Sequence, residues 1–283
     1  MAPTFVLVHG AFGNSFSWAP TQRELALRGH RSLAVDLPGH GFSAAFPAGY
    51  QAPQDLDAMA AAPSSMAGVT LADNVAHVVD TVRRCAEHGP VVLVGHSRGG
   101  MTITGVGNEI PELIDRMVYV SAWCSVDLTP LEYTQTEEYA SVGITEENSA
   151  LVGNPMELGA VRQNFRTADP AVLAAFKTEF LADGSDAELL TYLNTLDTDE
   201  NLDVGGPDDR AHAETWGRIP RTYIRLTADR AHPLALQDRF IAEADALTPD
   251  NPFDVHSLEL NHVDVLVRPT TVTTILADAG DHL

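Results

Sequence analysis

The sequence predicts an α/β fold, a mostly parallel central sheet flanked by helices, with a second body of chain inserted into it. Three observations carry that expectation. Strand and helix signals alternate up to about Val120 and again from about Arg218, and strands that alternate with helices pair in parallel under cover on both faces. The run Val91-Val92-Leu93-Val94 is aliphatic without polar interruption, as a strand buried on both faces must be. Between about Asp127 and Thr215 the alternation stops, and Glu, Asp, Ala and Leu dominate.

Taken in order, Thr4-Phe5-Val6-Leu7-Val8 is a short buried strand that runs into the slender loop His9-Gly10-Ala11-Phe12-Gly13. Residues 32–36 are strand-like. Residues 43–69, with little periodicity, are too long for a simple connection and are expected to border a site entrance. Residues 71–87 form an amphipathic helix whose Val75, Val78, Val79 and Val82 make a core-facing stripe. Strand signals follow at 117–120, 221–227 and 253–260. Inside the insertion, 170–181 and 186–196 are helix-like, bounded by Gly153-Asn154-Pro155 and Gly205-Gly206-Pro207. The expected organisation is therefore a core of residues 1–126 and 216–283 and a helical cap of residues 127–215 that roofs the site.

The chemistry begins at Gly95-His96-Ser97-Arg98-Gly99, a G-x-S-x-G run directly after the Val91 strand. A serine on a sharp strand-to-helix turn is pushed out of the sheet as a nucleophile, and small flanking residues let the backbone crowd itself there. A hydroxyl needs a base, an acid that orients the base, and donors for the developing oxyanion. Of eleven histidines, His262 follows the 253–260 strand and is the expected base. Asp229, just past the 221–227 strand, is the expected acid, with Asp127 after the 117–120 strand in reserve. An aspartate at such a place also serves as a turn former or helix cap. The backbone N–H groups of Ala11 and Arg98 are the expected oxyanion donors. Phe12, His96, Trp123, Phe165, Phe176, Phe180 and Tyr192 are candidate pocket walls. The Arg98 side chain either meets a substrate carboxylate or pairs with a nearby acid, the second being favoured in so acidic a chain.

The order Ser97, Asp229, His262, together with V-L-V-H-G-A, D-L-P-G-H-G at 36–41 and G-H-S-R-G-G, resembles the α/β-hydrolase superfamily over almost the whole chain. Trp18, the strand from Pro220 and the spacing Asp229, Pro233, Gln237 are similar to the branch holding plant methyl-ester esterases, hydroxynitrile lyases and many bacterial esterases. That resemblance implies the same roles for Ser97, Asp229, His262, Ala11 and Arg98. Two departures matter. Hydroxynitrile lyases of the branch carry a lysine after the catalytic histidine and a threonine after the early histidine, where this chain has Val263 and Gly10. Many of the esterases have Ser-His-Ser-Pro where this chain has Asn261-His262-Val263-Asp264, and Asp264 is expected as a helix cap or a solvated charge.

With 283 residues and 45% hydrophobic content the chain can bury a large core. A net charge of −22 argues against nucleic acid or an anionic membrane as partner. The sequence carries no apolar run long enough to cross a bilayer and no export signature, so a cytoplasmic location is expected. Cys85 and Cys124 read as buried free thiols, and no metal-binding or nucleotide-binding pattern occurs, so no metal or cofactor is expected. The expected activity is hydrolysis of a small-to-medium, largely apolar carboxylic ester or lactone through an acyl-enzyme. A lyase or C–C bond hydrolase on the same triad, or a non-catalytic small-molecule binding protein, are the alternatives. The oligomeric state is open, a homodimer included.

Overall fold

The computed structural model describes residues 2–140, 142–143 and 149–283. Its strands are β1 Thr4–Val8, β2 Arg31–Ala34, β3 Val91–His96, β4 Arg116–Val120, β5 Ala160–Arg162, β6 Asp199–Asn201, β7 Arg221–Leu226 and β8 Asp254–Leu258. The helices of the sheet region are α1 Ala19–Leu27, α2 Leu56–Ala61, α3 Leu71–Ala86 and α4 Gly99–Glu109. Then come α5 Pro130–Tyr133, α6 Pro155–Leu158, α7 Pro170–Phe180 and α8 Asp186–Leu193 in the insertion, and α9 Leu234–Leu247, α10 Asp264–Val267 and α11 Thr270–Asp281 beyond it. Six strands form one sheet in the order β2-β1-β3-β4-β7-β8, each pair parallel.

The aliphatic strands are unpatterned because both faces are covered. Val6, Val8, Val91, Leu93, Met117 and Tyr223 point into a core shared with α3, α4 and α9. Phe5, Leu7, Val92, Val94, Val118 and Ile224 point the other way, against Trp18, Leu25, Val272 and Leu276 of the α1 and α11 layer. Each such side chain, fully buried, contributes roughly 1.5–3 kcal/mol. The α3 stripe forms as its spacing predicts, with Val78, Val79 and Val82 buried and Val75 packed alongside. Thr70 and Asp73 close a capping box that starts the helix. Cys85 and Cys124 are free, Cys124 buried and Cys85 only half so.

The described residues between the sheet neighbours β4 and β7 stand outside the sheet. They contain α5 to α8 and a core of their own around Phe165, Phe176, Leu189 and Leu193. They are not purely helical, since β5 and β6 pair antiparallel. Three-residue strands, one of them Asp199-Glu200-Asn201, carry no period that sequence reasoning can detect. The guanidinium of Arg162, fully buried, pairs with Asp199 at 2.6 Å. It also donates to the carbonyls of Met59, Ala62 and Pro63. Residues 43–69 therefore clamp onto the insertion, and none of them lines the cavities at Ser97, contrary to the expectation that they border the entrance. Among the described residues no helix is long and apolar enough to cross a membrane.

Candidate active site

Ser97 sits where β3 hands over to α4, at φ 53°, the left-handed region that costs an L-residue strain. Its backbone N–H donates to Val120 and its carbonyl accepts from Gly100 and Trp123, which hold the turn. The crowding is backbone against backbone: a Cβ on Gly99 would lie 2.6 Å from the His9 carbonyl oxygen, and one on Gly100 would lie 2.1 Å from that of Trp123. Gly10, the position of the threonine departure, is equally constrained, because a Cβ there would come within 2.8 Å of Ser97 Cβ.

His262 follows β8, and Asp229 follows β7, so neighbouring strands deliver both to the carboxyl edge of the sheet, where sites of such folds lie. His262 Nδ1–H donates to Asp229 Oδ2 at 2.6 Å. The Ser121 hydroxyl donates to the same oxygen at 2.6 Å, while Oδ1 accepts from the N–H groups of Ala231 and His232 at 2.8 Å. Asp229 is thus both turn former and partner of the imidazole. Burial opposes its charge, but the imidazole beside it and these donors hold its carboxyl below the usual carboxylate range. Asp127, the reserve acid, is exposed on the surface, where its backbone bonds Glu243 and Arg210. It plays no part in this cluster.

Sequence reasoning missed the frame around these groups. Gln237 spans the turn, accepting from Leu226 N–H and donating to the carbonyls of Leu226 and His232, which accounts for the Asp229 to Gln237 spacing. The rings of His96 and His232 lie 4.7 and 5.3 Å from that of His262. His96 Nε2–H donates to the His262 carbonyl, and His232 Nδ1–H donates to that of Ser121. Burial, reinforced by the nearby His262, pushes His232 down to about 4 and His96 well below its ordinary value, so both stay neutral near pH 7. Asp264 is buried, not solvated: it accepts from Asn261 N–H at 2.7 Å and pairs with Arg268, bracing the loop that carries His262. Val263 is fully buried, so the residue after the imidazole brings no charge to the site.

The opposite wall is the loop after β1. Among the described residues, the N–H groups of Ala11 and Arg98 have no acceptor within the protein. The Arg98 guanidinium turns away to Asn201 Oδ1 and the Asp203 carbonyl, both 2.5 Å, with Glu200 Oε1 at 3.6 Å from Nε, so it pairs with an acid as expected. Glu200 also accepts Phe12 N–H at 2.8 Å and faces His40, which meets Asp197 at 3.2 Å. Although burial works against both charges, Glu200 and Asp197 raise His40 to about 9, and Arg98 with His40 draws Glu200 down to about 2. Nearby His9 is pushed to about 4 by burial and by the charge on His40. Its ring accepts from Leu37 N–H and donates to the Gly10 carbonyl, the pattern of a neutral imidazole. No local pattern in the sequence marks the acidic run from Asp197 as buried.

Two chambers meet at Ser97 and His262. One, of about 120 Å³, is walled by Phe12, His96, Phe165, Phe176, Phe180 and Tyr192. The other, about 290 Å³ and more open, is walled by Met101, Trp123, Leu131, Tyr139 and Val204. All the candidate wall residues are therefore brought to the site, Trp123 on the second side and Phe180 on both. Ser97 and His262 line both cavities, and among the described residues no hydrogen bond joins the Ser97 hydroxyl to the imidazole; such contacts commonly tighten only in the complex with substrate. Among the described residues no cluster of three or more metal-ligating side chains occurs.

A parallel sheet carrying a strained serine at the end of its third strand defines an α/β hydrolase, and the chain belongs to the alpha/beta hydrolase family, whose model matches residues 5–275. It is similar to polyneuridine aldehyde esterase of Rauvolfia serpentina, 24% identical over 98% of this chain and 95% of that one. It is also similar to methylesterase 17 of Arabidopsis thaliana, 23% identical over 98% and 91%. The crystal structure of a pyrethroid hydrolase superposes with a TM-score of 0.72 at 20% identity, covering 99% of this chain and 98% of that one. The esterase branch expected from Trp18 and the Asp229 to Gln237 spacing is thus the branch of its relatives.

Proposed function

We propose that the protein hydrolyses a carboxylic ester or lactone of small-to-medium, largely apolar character, the two halves of the substrate occupying the two chambers. The observation that supports this most is the 2.6 Å contact to a buried, ionised Asp229 from His262, which lines the same cavity as Ser97. The imidazole takes the Ser97 proton as Oγ attacks the carbonyl carbon, and Asp229 stabilises the imidazolium and keeps Nε2 free to act. The oxygen that gains charge is received by the N–H groups of Ala11 and Arg98. Collapse expels the alcohol, which carries off the proton from His262. Water, deprotonated by the same imidazole, then releases the acid and restores Ser97. His96 and His232, neutral, pack around the imidazole without competing for its proton. The names of the relatives, polyneuridine aldehyde esterase and methylesterase 17, agree with ester hydrolysis.

The test is hydrolysis of a p-nitrophenyl ester series from acetate to decanoate by wild type and Ser97→Ala, with intact-mass detection of the acyl adduct. Turnover and adduct lost together in the variant are expected. Turnover that survives Ser97→Ala, or no turnover and no adduct across esters and lactones, refutes the proposal.

A further inference from the structure

We propose that Glu200, on the cap strand β6, is a positioning residue that aligns both oxyanion donors, so that the insertion and not the sheet alone sets the geometry in which the carbonyl charge is received. The inference rests on the ester-hydrolysis reading above. It begins at Phe12, one of three non-glycine residues with positive φ among the described residues, at 57°. Such a conformation persists only where its surroundings over-determine it. Both backbone groups of Phe12 are tied to the insertion: its N–H donates to Glu200 Oε2 at 2.8 Å, and its carbonyl accepts from Asp197 N–H at 2.8 Å. The Phe12 amide belongs to the peptide that follows Ala11. Holding it anchors the peptide plane on one side of Ala11, and the plane that carries the Ala11 N–H is joined to that anchor through φ and ψ of a single residue.

The residue that carries the second donor meets the same carboxylate through its side chain. Glu200 Oε1 accepts Asn201 N–H at 3.0 Å and lies 3.6 Å from Arg98 Nε, while the guanidinium reaches on to Asn201 and Asp203. One carboxylate, 4% exposed, therefore touches the residue after Ala11 and the side chain of Arg98 itself. His40 lies 3.6 Å from Oε1 and, after Arg98, supplies the positive charge that lets Glu200 stay ionised in a buried place. Because the donors meet the full oxyanion charge only in the transition state, an influence exerted through them lowers kcat more than it raises KM.

The experiment compares full-length wild type, Glu200→Gln and Glu200→Ala in kcat and KM for p-nitrophenyl butyrate and in affinity for an alkyl trifluoromethyl ketone. Ser97 adds to that carbonyl, its proton passes to His262, and the resulting tetrahedral oxyanion reports the donors directly. The alanine variant is expected to lose about 10²-fold in kcat, on the scale of losing one oxyanion donor, with KM within about threefold and ketone affinity falling in parallel. Glu200→Gln keeps an oxygen for Phe12 N–H and recovers about tenfold of the loss. Folded variants with wild-type kcat and ketone affinity overturn the inference, as does a rise in KM alone. If neither variant folds, the carboxylate is structural and the inference is likewise overturned. A wild type without turnover or Ser97 adduct sinks the underlying reading and is distinguishable, because it appears before any variant is made.

Discussion

Asp229→Asn separates orientation of the imidazole from mere bulk at that position. The carboxylate receives four hydrogen bonds, two at Oδ1 from the backbone of Ala231 and His232, and two at Oδ2 from Ser121 and His262. An asparagine has one oxygen and one NH2. If the NH2 faced the turn, two backbone N–H groups would meet a donor, each losing an acceptor at about 1–3 kcal/mol. The oxygen therefore takes the Oδ1 place and the NH2 faces Ser121 and His262. The hydroxyl of Ser121 can rotate to accept, but His262 can meet a donor only by presenting an unprotonated Nδ1, which moves its proton to Nε2. That is the tautomer unable to take a proton from Ser97. A wrong-tautomer imidazole in a serine triad costs about 10⁴ in kcat, or about 5.5 kcal/mol at 1.36 kcal/mol per decade. Steady-state hydrolysis of a p-nitrophenyl ester, with circular dichroism to confirm folding, measures it. A folded Asp229→Asn within tenfold of wild type, or a comparable loss in Asp127→Asn, would refute the reasoning.

Three further outcomes follow from the packing and the charges. Gly99→Ala forces a Cβ onto the His9 and Val8 carbonyls, whereas Gly29→Ala, at φ +85° in open space, meets only conformational strain of about 1–2 kcal/mol; thermal melts should show Gly99→Ala the more destabilised and unable to label at Ser97, and equal melting points would contradict the crowding argument. Arg162→Met strands Asp199 and three loop carbonyls, so chemical denaturation should show a loss of about 3–5 kcal/mol and limited proteolysis should cut within residues 43–69; an unchanged midpoint and digestion pattern speak against the clamp. Stability should also peak near pH 6.5. His40, raised to about 9 from about 6.5 unfolded, contributes on the order of 3 kcal/mol that is complete below about 6.5 and lost as pH rises through about 9. His9 and His232, lowered to about 4, bind protons sooner when unfolded, so stability drains from about 6.5 down to 4. Melts from pH 4 to 10 on wild type and His40→Asn test this, an unchanged alkaline limb in the variant being the contrary result.

Wherever the information was local, the chain could be read directly. Largely apolar runs without alternation announced β1, β3 and β4 because a strand covered on both faces has no polar side, and Gly95, Gly99 and Gly100 announced the turn at Ser97 because its backbone admits nothing larger. The spacing of valines in α3 was equally legible, since a helix needs only its own period to bury a stripe. By contrast, only chain order ranked Asp229 above Asp127, two aspartates past strand ends; the sheet order, which seats β7 beside β8, puts Asp229 against His262 and leaves Asp127 at the surface. The same holds for Glu200, Asp197 and His40: an acidic run and a histidine more than 150 residues apart look solvated singly. Their burial and their charges depend on one another, because ions survive in a dry interior only once folding has brought their partners within a few ångströms.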